Sequence, residues 1–107
     1  MNAKYKLRFL STFYDDLEEI VLYLCDQLDN PVAAESLVKQ IDVAIYKRLN
    51  NPESYEKYVP SVYLQYPYYR IYVKNYVIYY VVRVEETDNI MEVRRILYAG
   101  RDRDKYI

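Results

Sequence analysis

The residues of this chain that could do chemistry are its arginines, lysines, tyrosines and carboxylates, because histidine is absent and cysteine occurs once. Without histidine, the commonest metal ligand and the commonest general acid–base are both missing, which argues against a zinc site. A single glycine excludes the glycine-rich loops that cradle nucleotide phosphates. Any chemistry must therefore use arginine and lysine to stabilise charge and tyrosine, lysine or glutamate to move protons.

The arginines are concentrated in the second part of the chain. Residues 61–107 carry 8 Lys/Arg against 6 Asp/Glu, whereas residues 1–60 carry 7 against 10. Six of the eight arginines lie in that second part: Arg70, Arg83, Arg94, Arg95, Arg101 and Arg103. This mild basic bias is compatible with contact to nucleic acid but is far below the charge of a dedicated nucleic-acid binder, and the pI near 5.5 agrees.

Tyrosine dominates the aromatic residues, with 16 Tyr, 2 Phe and no Trp. Such rings suit half-wet surfaces and protein interfaces, because the ring is buried while the hydroxyl keeps a polar partner. Stacking on nucleic-acid bases is the alternative for the tyrosines at positions 63, 66, 68, 69, 72 and 76. We favour packing and interface roles for them.

The elements that must position these residues follow from hydrophobic periodicity. An alternating segment predicts a first strand over residues 5–10, and two apolar stripes at helical spacing predict helices to about Asp29 and over 31–49. An irregular, proline-containing loop is predicted over 52–67. Three strands joined by short polar turns follow at about 68–74, 76–85 and 90–98. The predicted fold is α+β in the order β-α-α-β-β-β, with a helical hairpin packed on one face of a small, mostly antiparallel sheet.

Local signals refine these boundaries. Ser11 or Thr12 is predicted to cap the first helix, with Asp15 and Asp16 in its first turn. Asn30-Pro31 is predicted to end the first helix and begin the second. The last strand changes parity, with Met91 and Val93 on one phase and Ile96 and Tyr98 on the other, which a β-bulge would reconcile.

The strand over 76–85 is apolar on both faces. Ile78, Tyr80, Val82 and Val84 occupy one face, and Val77, Tyr79 and Val81 occupy the other. The helical hairpin can cover only one of these faces. Either the 52–67 loop or the C-terminus covers the second, or a partner protein does.

Three segments of the chain are similar to those of a known family: Tyr69-Arg70-Ile71-Tyr72-Val73, the following strand from Tyr76 to Val82, and the ending Arg95-Ile96-Leu97-Tyr98-Ala99-Gly100-Arg101-Asp102. With these segments in this order and at this length, the chain resembles the RelE/ParE toxin superfamily. The resemblance implies a growth-inhibiting toxin, encoded for example as a plasmid-stabilisation module and neutralised by a cognate antitoxin. RelE-like members cleave mRNA on the ribosome, and ParE-like members poison DNA gyrase.

The resemblance also implies site residues. Arg70, Arg101 and Tyr106 match the catalytic positions of RelE-like members, Tyr106 about one residue out of register. Tyr72 and Val77 stand where those members carry basic residues, so two of four basic positions are lost. Lys74, Arg83 or Arg94 could compensate. For Arg94, Arg95 and Arg103, ordinary surface charge or a salt bridge is the alternative.

Residues predicted to bind a target or partner are Tyr72, Lys74, Val77, Tyr79, Val81, Arg83, Arg94, Tyr98 and Arg103. The missing basic positions and the closing motif favour ParE-like gyrase inhibition over a RelE-like endoribonuclease. A degenerate, non-toxic module that only binds its antitoxin stays a third interpretation. We expect a single domain over 1–107, cytoplasmic, with no cofactor, metal or small-molecule ligand and no membrane segment.

Overall fold

The computed structural model describes residues 4–58 and 66–100 and gives the elements in the predicted order. Strand β1 is followed by helix α1, a short π-helical turn and helix α2, and the remaining strands follow one another. The bounds are β1 Tyr5–Phe9, α1 Ser11–Leu22, the π-helical turn Tyr23–Gln27, α2 Pro31–Arg48, β2 Lys57–Tyr58, β3 Tyr68–Val73, β4 Tyr76–Glu85 and β5 Asp88–Tyr98. The predicted α+β order is confirmed, with β2 as a two-residue addition inside the predicted loop.

The strands of the described residues form one mixed sheet in the order β1-β5-β4-β3-β2. β1 runs parallel to β5, and every other neighbouring pair is antiparallel. The sheet is therefore mostly antiparallel, as predicted. β5 is central although it comes last in the chain, because β1 pairs with it from Tyr5 opposite Asn89 to Phe9 opposite Val93.

The two helices begin differently. Asn30 caps α2 through its side-chain oxygen, which accepts from the backbone nitrogen of Ala33 at 3.1 Å, and Pro31 occupies the first helical position. This prediction is confirmed. For α1 the prediction of a Ser11 or Thr12 cap is wrong, because Leu10 is the N-cap residue and makes no side-chain capping bond. The hydroxyl of Thr12 instead donates to the carbonyl oxygen of Arg94 on β5 at 2.8 Å.

The main hydrophobic core lies between the helical hairpin and one face of the sheet. Its helical members include Phe13, Leu37, Ile41 and Ile45, and its strand members are Tyr69, Ile71, Val73, Ile78, Tyr80, Met91, Val93 and Ile96. A helical pair covering one sheet face is the predicted arrangement. Of the helices in the described residues, none is long and apolar enough to cross a membrane.

A β-bulge in β5 explains the parity change of that strand. Tyr79 pairs with Arg95 and Tyr80 pairs with Val93, so Arg94 is the extra residue. Because one inserted residue reverses the facing of everything after it, Val93 and Ile96 both reach the main core. The bulge prediction is confirmed.

The helix-free face of the sheet carries a second, smaller apolar cluster. It contains Tyr68, Val77, Tyr79, Val81 and Leu97, with Tyr66 packed against it. Val77, Tyr79 and Val81 are at most 1% exposed in this chain alone. β4 is therefore buried on both faces over most of its length, and its end emerges into solvent at Val84.

Candidate functional site

Arg70 and Tyr72 lie on the helix-free face of β3. Their neighbours Tyr69, Ile71 and Val73 belong to the main core, and side chains alternate between the two faces of a strand. The guanidinium carbon of Arg70 is 5.8 Å from the centre of the Tyr72 ring, and that tyrosine is 61% exposed. Lys74 follows in the turn with a left-handed backbone (φ 52°) and is exposed. The structure thus brings Arg70 and Tyr72 together at the surface.

The backbone at Arg70 is held by the end of α2. The Nη1 atom of Arg48 donates to the carbonyl oxygen of Arg70 at 3.1 Å and to the hydroxyl of Tyr80 at 2.9 Å. The Tyr80 hydroxyl in turn donates to the carbonyl oxygen of Pro52 at 2.6 Å, and the Arg48 guanidinium stacks on the Tyr55 ring at 3.4 Å. One arginine therefore ties the last turn of α2, the following loop and β3 into a fixed unit.

Arg83 and Arg94 are both directed at one buried carboxylate, that of Glu92 on β5. The Oε1 atom of Glu92 accepts from Arg94 Nε at 2.9 Å, and its Oε2 atom accepts from Arg83 Nη1 at 3.4 Å. Arg8 on β1 contributes a further contact to Oε2 at 3.3 Å and pairs with Glu85. Glu92 is only 2% exposed, whereas the side chains of Arg8, Arg83 and Arg94 are 40%, 30% and 22% exposed. A buried carboxylate is therefore neutralised here by partly exposed arginines.

Two tyrosines close over this arginine cluster. The ring of Tyr66 lies 5.2 Å from the Arg83 guanidinium carbon and 5.9 Å from that of Arg94. The ring of Tyr68 lies 5.7 Å from Arg94, whose Nη1 atom donates to the Tyr68 hydroxyl at 3.2 Å. These cation–π contacts and hydrogen bonds hold the arginines toward Glu92. Arg83 and Arg94 already neutralise a carboxylate of this chain, so they are not free to bind an anionic group of a target.

Arg95 is engaged as well, at the edge of the sheet. Its Nε and Nη2 atoms donate to the two carboxylate oxygens of Asp16, both at 2.7 Å. Asp16 Oδ2 also accepts from the backbone nitrogen of Ile96 at 3.1 Å. β1 pairs with β5 only as far as Val93, so α1 takes over this edge with the Asp16 and Thr12 side chains. For Arg94 and Arg95 the salt-bridge alternative is therefore the one observed.

The residues predicted to bind a target or partner thus occupy different environments. Val77, Tyr79 and Val81 are buried, so a partner could reach them only by displacing what covers them. Tyr98 is 54% exposed and meets Tyr76 edge to face at 6.0 Å, beside a groove of about 430 Å³ between α1 and the ends of β4 and β5. The predicted residues Arg101, Arg103 and Tyr106, and Tyr63 among the tyrosines, lie outside the described residues.

Buried tyrosine hydroxyls of this structure hold their protons more tightly than free tyrosine does. Burial raises the pKa of Tyr69 and Tyr76, and it raises the pKa of Tyr80 to about 12. A general base works best when its pKa lies near the operating pH, so these three hydroxyls are unsuited to abstract a proton at neutral pH. Within residues 4–58 and 66–100, no group of three or more acidic or cysteine side chains is arranged to hold a metal ion.

Comparison with known protein families gives one match that spans most of the chain. The sequence profile of the ParE toxin of type II toxin–antitoxin systems (parDE) matches residues 7–103. The chain belongs to the ParE toxin family. It is therefore a toxin-family member of the RelE/ParE superfamily, as the sequence resemblance implied. No curated protein sequence matches it significantly.

Among solved structures, the ParE-family chain is similar to the RelB–RelE antitoxin–toxin complex from Methanococcus jannaschii. The two share 22% sequence identity with a TM-score of 0.42, and the alignment covers 94% of this chain and 99% of that chain.

Several residues that build the site of this ParE-family chain were not predicted as site residues: Arg8, Arg48, Asp16 and Glu92. The sequence placed Asp16 only in the first turn of the first helix, which is wrong, because the first turn of α1 holds no acidic residue. Each of the four contacts a residue far along the chain. A usable signal existed for Glu92, which sits among apolar residues of a predicted buried strand, where an unpaired carboxylate would be costly. No local sequence pattern predicts the partners of Arg48 and Asp16, because Arg70 and Arg95 lie on other elements of the fold.

Proposed function

We propose that this chain is a growth-inhibiting toxin that is neutralised by a cognate antitoxin and that acts on DNA gyrase by binding rather than by chemistry. The observation that carries the proposal is the match to the ParE toxin family over residues 7–103. Both gyrase and the ribosome are cytoplasmic, so the proposal implies a cytoplasmic site of action.

The arginines that are missing or already paired support action by binding rather than by catalysis. RelE-like members resemble this chain but carry an arginine where it has Val77, and Val77 is 1% exposed, which is no position for a phosphate-binding charge. Arg83 and Arg94, two of the residues that could have compensated, donate to Glu92. A missing charge donor typically lowers the rate of such a reaction by about a hundredfold or more.

A RelE-like endoribonuclease is the second candidate, and one observation favours it. Arg70 and Tyr72 share the helix-free face of β3, with the half-buried guanidinium 5.8 Å from the exposed ring. An arginine beside an aromatic platform could bind a phosphate and a stacked base. This candidate would require Arg70 to supply most of the charge stabilisation by itself or with Lys74.

Purified protein tests the two candidates directly. We expect the chain to inhibit supercoiling by DNA gyrase in vitro and to leave mRNA uncut on programmed ribosomes. Arg70→Ala is compared with the control Lys6→Ala, which removes an exposed positive charge from β1 on the far side of the sheet. Melting temperatures of the two variants separate a lost target contact from lost stability. Ribosome-dependent cleavage that Arg70→Ala abolishes would overturn the gyrase proposal.

A further inference from the structure

We propose that the groove between α1 and the ends of β4 and β5 binds a small organic cation of the alkylammonium class. This ligand site is separate from the residues that carry the proposed function, and nothing in its argument depends on the target of the toxin. Three features of the described residues support it: two carboxylates on one helix face, three tyrosine rings, and a cavity of suitable size.

One wall of the groove is a single face of α1 and the turn that follows it. The residues of this wall are Asp16, Glu19, Ile20 and Tyr23. They stand at the spacing i, i+3, i+4 and i+7, which places side chains on the same side of a helix. Tyr23 begins the π-helical turn, a rare geometry that is frequently found at functional sites. The carboxylates of this wall therefore face the same space as the Tyr23 ring.

The opposite wall is formed by tyrosines at two strand ends. Tyr76 begins β4 and pairs with Tyr98 near the end of β5, and their rings meet edge to face at 6.0 Å. Burial raises the pKa of Tyr76, and the nearby phenol groups of Tyr23 and Tyr98 raise it further. The three phenol groups therefore lie within electrostatic reach of one another, around one opening.

The groove is negatively charged. Asp16 and Glu19 line it, and none of its lining residues within 4–58 and 66–100 is lysine or arginine. Arg95 pairs with both carboxylate oxygens of Asp16 and so offsets one of the two negative charges. Aromatic faces attract cations, and a carboxylate beside them supplies the counter-charge. This combination favours an organic cation over an anion or a neutral ligand.

The dimensions of the groove suit a small molecule. Its volume is about 430 Å³, within the range of small-molecule sites. Carboxylate and phenol oxygens can accept hydrogen bonds from the N–H groups of a primary ammonium. The apolar lining, partly buried Ile20 and buried Ile96, can contact the alkyl chain of the same ligand.

The test compares three probes of one chain length by NMR titration of the full chain. The probes are the diamine cadaverine, the uncharged pentanediol with terminal hydroxyls, and the dianion glutarate. Cadaverine should shift the amide signals of Tyr23, Tyr76 and Tyr98 in a saturable way. The diol should bind at least about tenfold more weakly, and glutarate should leave these signals unchanged, because only the diamine carries the charge that the groove attracts.

Two substitutions with matched controls locate the site. Glu19→Gln should weaken cadaverine binding about threefold or more, whereas Glu18→Gln, at an exposed neighbour outside the lining, should change it by less than about 1.5-fold. Tyr23→Leu should also weaken it about threefold. Its control is Tyr46→Leu, at an exposed tyrosine of α2. Melting temperatures of the four variants confirm that each is folded.

Equal binding of the diamine and the diol would overturn the proposal, because the groove would then act as an apolar cleft. Shifts spread over the acidic surface, with Glu18→Gln as damaging as Glu19→Gln, would also overturn it and show non-specific attraction. If a lysine-containing peptide shifts the three tyrosine signals and cadaverine does not, the occupant is a side chain of a partner protein and the small-molecule claim is wrong. None of these results changes the expectation for gyrase.

Discussion

The carboxylate of Glu92 accepts hydrogen bonds from Arg8 on β1, Arg83 on β4 and Arg94 on its own strand. It is 2% exposed, so its charge is what keeps three guanidinium groups close together at this depth. A neutral amide of the same shape would leave those positive charges facing one another. We therefore expect the acid, rather than any one of the three arginines, to be the residue of this cluster that is most sensitive to substitution.

We expect Glu92→Gln to lower the free energy of unfolding by about 1.5–3 kcal/mol, since the buried charge that accepts hydrogen bonds from three partly exposed arginines is lost. Urea denaturation followed by far-UV circular dichroism measures the change. Glu86→Gln is the control, because Glu86 is an exposed turn residue, and it should change stability by less than about 0.5 kcal/mol. Equal effects of the two substitutions would show that the cluster is not a stabilising feature.

The burial of Tyr80 leads to a prediction of how the stability of the protein depends on pH. Burial raises its pKa from 10.0 to about 12 in the folded protein. A group whose pKa is higher in the folded state contributes stability that is fully present below the unfolded pKa and is lost as the pH rises toward the folded one. The stability of this protein should therefore fall between about pH 10 and pH 12.

Tyr80→Phe isolates that contribution. The substitution removes the hydroxyl that joins Arg48 to Pro52, so at pH 7 it should cost about 1–2 kcal/mol. It should also make the alkaline loss of stability less steep than in the unsubstituted protein. Thermal melts across the alkaline range measure both effects, with Tyr46→Phe, an exposed tyrosine, as the control. An unchanged alkaline slope would contradict the burial of the Tyr80 hydroxyl as its cause.

At the scale of elements, the bulge at Arg94 sets the facing of the end of β5. Residues before it pair in one phase with β4 and residues after it in the other. If Arg94 took a regular place in the strand and no bulge formed, Ile96 would turn away from the main core and Arg95 would face it. That exchange would bury an unpaired charge and expose a large apolar side chain.

Deletion of Arg94 leaves Arg95 opposite Tyr79 and Ile96 opposite Ile78 in a regular ladder, so the deletion variant should still fold. Like Arg94→Ala, it should lose about 1–3 kcal/mol of unfolding free energy through the missing bond to Glu92. The amide chemical shifts of Ile96 and Leu97 in NMR spectra check that both variants keep the native pairing of β5. A deletion variant that loses its amide dispersion while Arg94→Ala keeps it would contradict this expectation and show that the bulge itself is required for folding.

The elements that sequence predicted well are those with strong local signals. Helical spacing of apolar residues defined both helices, Asn30-Pro31 marked the boundary between them, and the parity change of β5 indicated its bulge. The predicted N-cap of α1 was wrong, because the Thr12 hydroxyl bonds to the carbonyl oxygen of Arg94 on β5 instead of capping its own helix. The two-residue strand β2 has no periodicity of its own and forms only through pairing with β3.

At the scale of the whole molecule, the candidate site was less predictable than the fold. Sequence patterns showed that β4 is apolar on both faces, but they could not show that Val77, Tyr79 and Val81 are buried within the chain itself. Which charges pair is likewise a property of the assembled sheet. Arg83 and Arg94 look like available cations in the sequence, and only the approach of β4 and β5 reveals that Glu92 engages them.

Among residues 4–58 and 66–100, the strand arginines Arg8, Arg83, Arg94 and Arg95 pair with carboxylates of this chain. Charges engaged in this way fit a protein that acts by occupying a surface of its target, which is the central claim of the proposed function.

The most direct measurement is pulse labelling in a bacterium after induction of this gene alone, with thymidine and amino-acid incorporation followed separately. A toxin that acts on gyrase should reduce thymidine incorporation first, because DNA synthesis depends directly on supercoil removal, and co-expression of the neighbouring antitoxin should restore it. A prompt fall in amino-acid incorporation while DNA synthesis continues would contradict the account and favour mRNA cleavage. Normal growth with both rates unchanged would contradict toxicity itself.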